Sequence, residues 1–250
     1  MRTIYGKELR SYFSTMSGWA FIAAFLLSTA LFFAVNNVLM NSDSLSNVLL
    51  SNCYVMILIA PPLTMRLFAE ERRSKTEQLW LSAPVRISAV ILAKFLAAAT
   101  VFGTALAASL VFPVLLAALG TQFYVGEAVI GYAGCALVGL CLIALGMFLS
   151  VLFENQLSCA IATAVAILAL YLADTVGAGI GVRTLRGIIC AITPYYHLRL
   201  FRIGLLLPSS VAQLAGFMAA FTLLTVSALD ARLAKSARTR GRVGYAGKGR

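Results

Sequence analysis

Charge is scarce in this chain: of 250 residues only 12% are Asp, Glu, Lys or Arg, while 61% are hydrophobic and the mean hydropathy is +0.92. Ordinary soluble domains carry about 25% charged and about 45–50% apolar residues. There is too little polar surface here to cover the apolar surface in water, which excludes a soluble domain and leaves lipid as the solvent for most of the chain. Lipid offers the backbone no hydrogen-bond partners, so the spanning elements must satisfy their own amides. Strict apolar/polar alternation, the mark of a membrane barrel, is also missing. The expected fold is an all-α integral membrane bundle.

Other absences narrow the chemistry. His197 is the only histidine, which excludes a multi-histidine metal site and leaves any Ser-His-Asp arrangement dependent on that one residue. The five cysteines, Cys53, Cys135, Cys141, Cys159 and Cys190, lie in apolar surroundings with no CxxC spacing and read as small buried hydrophobes. No G-x-x-x-x-G-K-[ST] phosphate loop occurs, and the terminal GYAGKGR lacks both the upstream glycine and the magnesium-binding hydroxyl. No catalytic, cofactor or metal residue is therefore assigned, and the chain is not expected to hydrolyse ATP. Glu154 and Asp174 sit at span ends and the span centres are nearly free of charge, which argues against an intramembrane enzyme or a proton-coupled carrier. The N-terminus has no small-residue cleavage site, and its first apolar run is long enough to stay in the membrane.

What is present is a series of apolar runs near the roughly 20 residues that a bilayer core demands. They cover about Trp19–Val38, Val48–Phe68, Ile87–Leu119, Ala128–Phe153, Leu157–Ala173 and Val211–Leu229, six spans in all. The third is long, and Pro113 is expected to kink its far end. Asp174 to Ser210 is a mixed stretch, neither a simple loop nor a clean span. Gly131, Gly134, Gly139, Gly146, Ala160, Ala162 and Ala164 supply small residues for close helix approach, within the chain or with a partner.

Basic residues set the orientation. With the N-terminus inside, sixteen of the 20 Lys and Arg residues fall on the cytoplasmic side, and the rest, Arg183, Arg186, Arg199 and Arg202, lie together in the mixed stretch. Both termini are expected in the cytoplasm. The net charge of +11 does not indicate nucleic acid. The basic, Gly-rich tail at 231–250 offers no platform for stacking bases, reads as disordered, and is what inside retention and anionic headgroups favour.

Two cytoplasmic segments carry pattern. Residues 1–16 form an amphipathic helix, with Ile4, Tyr5, Leu9, Tyr12, Phe13 and Met16 on one half and Lys7, Arg10, Ser11 and Ser14 on the other. It should lie in the membrane interface, whether as an anchor or as more than one. After the second span, Arg66, Glu70, Glu71, Arg72, Arg73, Lys75 and Glu77 crowd into the densest charge cluster of the chain. Ser74 and Glu77 have the spacing of a capping box, Leu79, Trp80 and Leu81 follow, and Pro84 stops the helix. Large apolar side chains on a charged loop suit a docking surface for another protein, or a loop that folds back on its own bundle.

The run LTMRLFAEERRSKTEQLWLSAPV, 63–85, resembles the segment after the second span in membrane permeases of ATP-binding-cassette exporters, of the gliding-motility and nitrous-oxide-reductase-maturation type. Met65, Arg66, Glu70, Glu71, Arg72, Thr76, Gln78, Leu79 and Pro84 match that pattern, while Lys75 stands where Gly is common and Ala83 where Ser is. Lys7, Glu8, Leu9, Tyr12 and Phe13 are similar to the family's interfacial helix, and Pro194, His197, Leu198, Phe201 and Gly204 to its segment before the last span.

The resemblance implies a six-span permease domain over 17–230 that works with a second half, the same chain or a related one, in a bacterial-type cytoplasmic membrane. A separate nucleotide-binding ATPase would bind ATP and Mg. The helix at about 74–82 would be the coupling helix seated in that ATPase, with Arg66, Glu70, Glu71, Arg72, Thr76, Leu79 and Trp80 in the docking region and Ser74 and Glu77 as its cap. Residues of about 183–207 would form an outer re-entrant hairpin. A membrane-embedded enzyme or assembly factor with a docking loop is the alternative.

Overall fold

The computed structural model describes residues 2–40, 44–69, 86–118, 124–179, 193–202 and 204–246, with backbone alone beyond 232. The described residues form helices joined by turns, without strands. Six helices are long and apolar enough to cross a membrane: Met16–Leu39, Leu45–Thr64, Ile87–Ala118, Val125–Leu152, Gln156–Gly177 and Pro208–Arg232. They are called spans 1 to 6. A helix at Arg2–Ser14 precedes them, and a short helix at Pro194–Arg202 lies between spans 5 and 6.

Span 4 is the centre of the bundle. Two thirds of its apolar window is buried, 67%, against 22% for span 5 and 11% for span 6. Helices in lipid gain little from apolar burial as such and associate through close packing, which small residues permit. A methyl group on Gly139 would lie 2.2 Å from the Phe102 ring of span 3, one on Gly146 2.5 Å from Thr64 Oγ1 of span 2, and one on Gly134 2.5 Å from Phe201 of the short helix. Gly134, Gly139 and Gly146 of span 4 therefore serve contacts within the chain.

Polar packing adds to this where spans 1 and 2 meet. Ser28 Oγ donates to Asn52 Oδ1 at 2.5 Å, and Asn52 Nδ2 donates to Thr29 Oγ1 at 2.8 Å, all three residues being buried. Asn52 is thereby satisfied at a depth where an unpaired amide would be costly.

Span 3 is broken as its proline requires, although the break falls before Pro113. The α-helix ends at Ala108 and resumes as Val111–Ala118. Pro113 has no N–H to give the carbonyl four residues back, that of Ser109, and its ring clashes there. The Ser109 carbonyl instead accepts from Phe112 N at 3.1 Å and from the Tyr132 hydroxyl of span 4 at 2.9 Å.

Two boundaries differ from the sequence reading. Span 5 runs on as helix to Gly179, which places Asp174 inside a helix. The last helix continues to Ala246 through the basic tail that composition reads as disordered; Ala, Arg and Lys are good helix formers, and the backbone follows that local preference.

Candidate functional site

Two regions gather polar side chains, one at the end of the bundle that carries the N-terminal helix and one in the opposite half. At the first, a chain of local causes fixes the N-terminal helix. Its hydrogen bonding ends at Thr15, and the chain turns into span 1 so tightly that a methyl on Gly18 would sit 2.5 Å from the Tyr12 carbonyl oxygen. Tyr12 is buried and its hydroxyl donates to the Leu63 carbonyl at 3.1 Å. Phe13 packs edge-on to Trp19, whose indole N–H donates to the Phe13 carbonyl at 3.0 Å. Tyr5 shares a hydrogen bond with Thr100 of span 3 at 2.9 Å.

The strongest tie is ionic. Lys94 of span 3 is 1% exposed, and its Nζ lies 3.1 Å from Glu8 Oε1, with the ammonium over the Phe68 ring at 5.2 Å from its centroid. A lysine so buried persists only if paired and hydrogen-bonded. Sequence reasoning counted Lys94 simply as a cytoplasmic cation and placed Glu8 in the interfacial helix without a partner. The one signal available was a lysine standing inside an apolar run.

The turn Met65–Phe68, which leads into the charged loop, is held to span 4. Ser150 Oγ accepts from Phe68 N at 3.0 Å and from Ala69 N at 3.2 Å, and donates to the Met65 carbonyl at 3.4 Å. Arg66 reaches Ser17 Oγ at the start of span 1 and lines a small polar cavity with Glu8, Ser11, Tyr12 and Thr15. Of the expected docking residues, Arg66 is thus placed beside the N-terminal helix; Lys7, expected in the interfacial helix, is exposed. Glu70, Glu71, Arg72, Ser74, Thr76, Glu77, Leu79 and Trp80 lie outside the described residues. Ser150 carried no sequence signal, since a lone serine in an apolar helix ordinarily bonds its own backbone.

In the opposite half the short helix Pro194–Arg202 is packed into the bundle. Pro194, Tyr195, His197, Leu198 and Phe201 are buried. Phe201 fits against Gly134, and Tyr195 stacks with Tyr54 at 5.8 Å and meets Tyr171 edge-on at 5.9 Å. Gly204 explains where the helix stops: at φ 74 it takes the left-handed conformation, with Leu205 N bonded to the Leu200 carbonyl and Gly204 N to the Phe201 carbonyl. That is a Schellman end, which favours glycine at this place. Among the described residues His197 has no hydrogen-bond partner at either ring nitrogen, and burial lowers its pKa below the ordinary 6.5, so the ring is held neutral. Arg199 Nη2 donates to Asp174 Oδ2 of span 5 at 2.6 Å, joining two residues that the sequence reading left separate.

Among the described residues neither region offers a nucleophile beside a base. Among the described residues no group of three His, Cys, Asp or Glu side chains is placed to hold a metal. The first region is a mechanical junction of the N-terminal helix, the foot of the charged loop and spans 3 and 4. No curated protein matches the chain. Residues 5–229 match the family model described as ABC-2 family transporter protein.

Proposed function

Because the chain belongs to the ABC-2 family of transporter proteins, and is thereby a membrane permease subunit of an ATP-binding-cassette transporter, we propose that it is one half of an exporter driven by a separate ATPase. In this reading the subunit is of the gliding-motility and nitrous-oxide-reductase-maturation type and sits in a bacterial-type cytoplasmic membrane with both termini in the cytoplasm. The loop 70–85 docks into the ATPase through Glu71, Arg72, Leu79 and Trp80, and ATP and Mg bind there and not on this chain. A second permease half completes the pathway, and residues 183–207 cap its outer side as a re-entrant hairpin.

The observation that carries the reading is the junction at the foot of the loop. A displacement applied to 70–85 is passed at its two ends to Met65–Ala69 and to Arg86 at the start of span 3. The turn at Met65–Ala69 is bonded to Ser150 of span 4, and its Phe68 lies under the Lys94 ammonium, which is paired with Glu8. Motion of the loop is therefore passed to spans 3 and 4 and to the N-terminal helix together, as a coupling device requires, because packed elements move as units.

The test is purification of the tagged chain in mild detergent, with an ATPase assay on the eluate, beside a Leu79→Asp, Trp80→Asp variant. Co-purification of an ATPase that the variant loses is the expected result. Stable purification with no ATPase would overturn the docking assignment and favour a membrane-embedded enzyme or assembly factor.

A further inference from the structure

The second polar region lies deep in the bundle. Cys53 of span 2 and Cys135 of span 4 have their sulfurs 3.1 Å apart, which marks one level. Cys53 is eight residues along the helix that begins at Leu45, and Cys135 ten along the one that begins at Val125, so that level is about 12–15 Å in at 1.5 Å per residue. The short helix lies at this level at both of its ends. The Tyr195 hydroxyl donates to the Cys53 carbonyl at 3.4 Å, and Phe201 covers Gly134.

Arg199 projects from this helix to Asp174, which stands five residues before the end of the span 5 helix at Gly179, about 7–8 Å in from that end at 1.5 Å per residue. The Arg199 side chain is 41% exposed although its partner Asp174 is 2% exposed. Tyr54 meets Tyr171, one turn before Asp174 on span 5, edge-on at 5.1 Å, both rings being half-buried. Arg202, three residues along and therefore on a neighbouring part of the helix surface, is exposed and forms no ion pair among the described residues. The short helix carries two arginines and no carboxylate, so that together with Asp174 it has a net positive charge.

A guanidinium turned toward lipid at this depth would be costly, and ionisable groups inside membranes face a water-filled path or a partner. Asp174 engages one edge of the Arg199 fork. A guanidinium has five donors, and its planar geometry suits the paired oxygens of a carboxylate or phosphate. Half-exposed tyrosine rings beside it would hold the apolar part of an amphipathic molecule.

We propose that Arg199, Arg202, Tyr54 and Tyr171 form a binding site for the anionic head of an amphipathic molecule, reached from a water-filled face between spans 2 and 5. That this molecule is the transported substrate rests on the permease reading; that the face is wet and selects anions rests on depth, exposure and charge alone. Asp174 is a positioning residue, which holds the Arg199 fork with one edge outward.

The experiment introduces Ser51→Cys, one turn from Tyr54 on span 2 and half-buried, into the full chain in membranes. Labelling is compared for anionic and cationic methanethiosulfonates, each scaled to its rate with a free thiol and corrected for the parental chain. The anionic reagent should react faster, and Arg199→Gln should reduce that preference by about fivefold or more, the size expected of one charge acting across a helical turn or two in a partly aqueous cleft. Arg199→Lys should retain it, which separates loss of charge from loss of fold.

Short-chain phosphatidic acid should slow labelling at concentrations where inorganic phosphate does not, which assigns a lipid-like anion; slowing by both equally assigns a free phosphate site. No labelling by either reagent, an oxidative cross-link between two Ser51→Cys chains, or a preference unchanged by Arg199→Gln would overturn the site. None of these outcomes depends on whether an ATPase co-purifies, so this proposal and the docking assignment fail separately.

Discussion

Replacing Gly139 by alanine puts one methyl group where the central helix meets span 3, and the structure allows its cost to be worked out. The new carbon would lie 2.2 Å from Phe102 Cζ and 2.4 Å from Cε1, whereas carbon atoms rest at about 3.5–4.0 Å. A ring on a flexible surface would swing aside. Phe102 is 1% exposed, however, with Phe25 edge-on at 5.8 Å and Phe21 at 6.4 Å, so its retreat pushes span 1 as well. Overpacking of a filled core costs about 1–3 kcal/mol, and an overlap of more than 1 Å with two ring atoms belongs at the upper end.

Alanine returns about 1 kcal/mol through helix propensity, leaving a net loss of about 2 kcal/mol. For a chain of this size that corresponds to a fall of about 4–8 °C in melting temperature. The assay is the monodisperse fraction of detergent-purified protein after a heating series at one fixed rate. Gly103→Ala in span 3 is the control, because nothing lies within 4 Å of its methyl position; it should hold or raise the melting temperature. Phe102→Leu, which removes the offending ring carbons, should recover part of the loss in the double variant. If Gly139→Ala melts with Gly103→Ala, or if Phe102→Leu only adds its own penalty, the close approach of spans 3 and 4 is not as described.

Two further outcomes follow from the buried groups. Glu8→Gln removes the carboxylate facing Lys94, and breaking a buried pair from one side costs about 3–5 kcal/mol; hydrogen exchange across Arg2–Ser14 should rise, while spans 4 and 5 remain protected. His197 is held below its ordinary pKa by burial, so in the range between its lowered value and 6.5 the unfolded chain binds more protons than the folded one. Stability conferred by the neutral ring is therefore fully present above pH 6.5 and declines as pH falls through that range. Melting temperatures at pH 7.5, 6.0 and 5.0 should show this slope, and His197→Leu should flatten it; an equal slope in the variant would place the titration elsewhere.

Span number and helical class were legible in the sequence because they depend on quantities summed along the chain: run length against bilayer thickness, and backbone amides that lipid cannot satisfy. The break of span 3 was legible from Pro113 for a similarly local reason, although its place at Ser109–Leu110 follows from which carbonyl loses its donor. The value of Gly204 was visible only as part of a pattern, and its backbone conformation supplies the cause. Six helices and their family resemblance, however, leave open which faces meet.

That question is three-dimensional. Gly131, Gly134, Gly139 and Gly146 announced close approach without saying to what, and packing assigns span 2, span 3 and the short helix as their neighbours. Glu8 with Lys94, Ser150 with the turn at Met65–Ala69, and Asp174 with Arg199 each join residues far apart in the chain, with no periodicity to link them. Composition and spacing thus determined the solvent and the number of crossings, because each rests on local or additive physics, while the class of subunit came from the resemblance of its motifs to a family. Only the tertiary structure decided the partners of the buried charges, because a charge in a low-dielectric interior is stable just where folding brings its counterpart within hydrogen-bond reach.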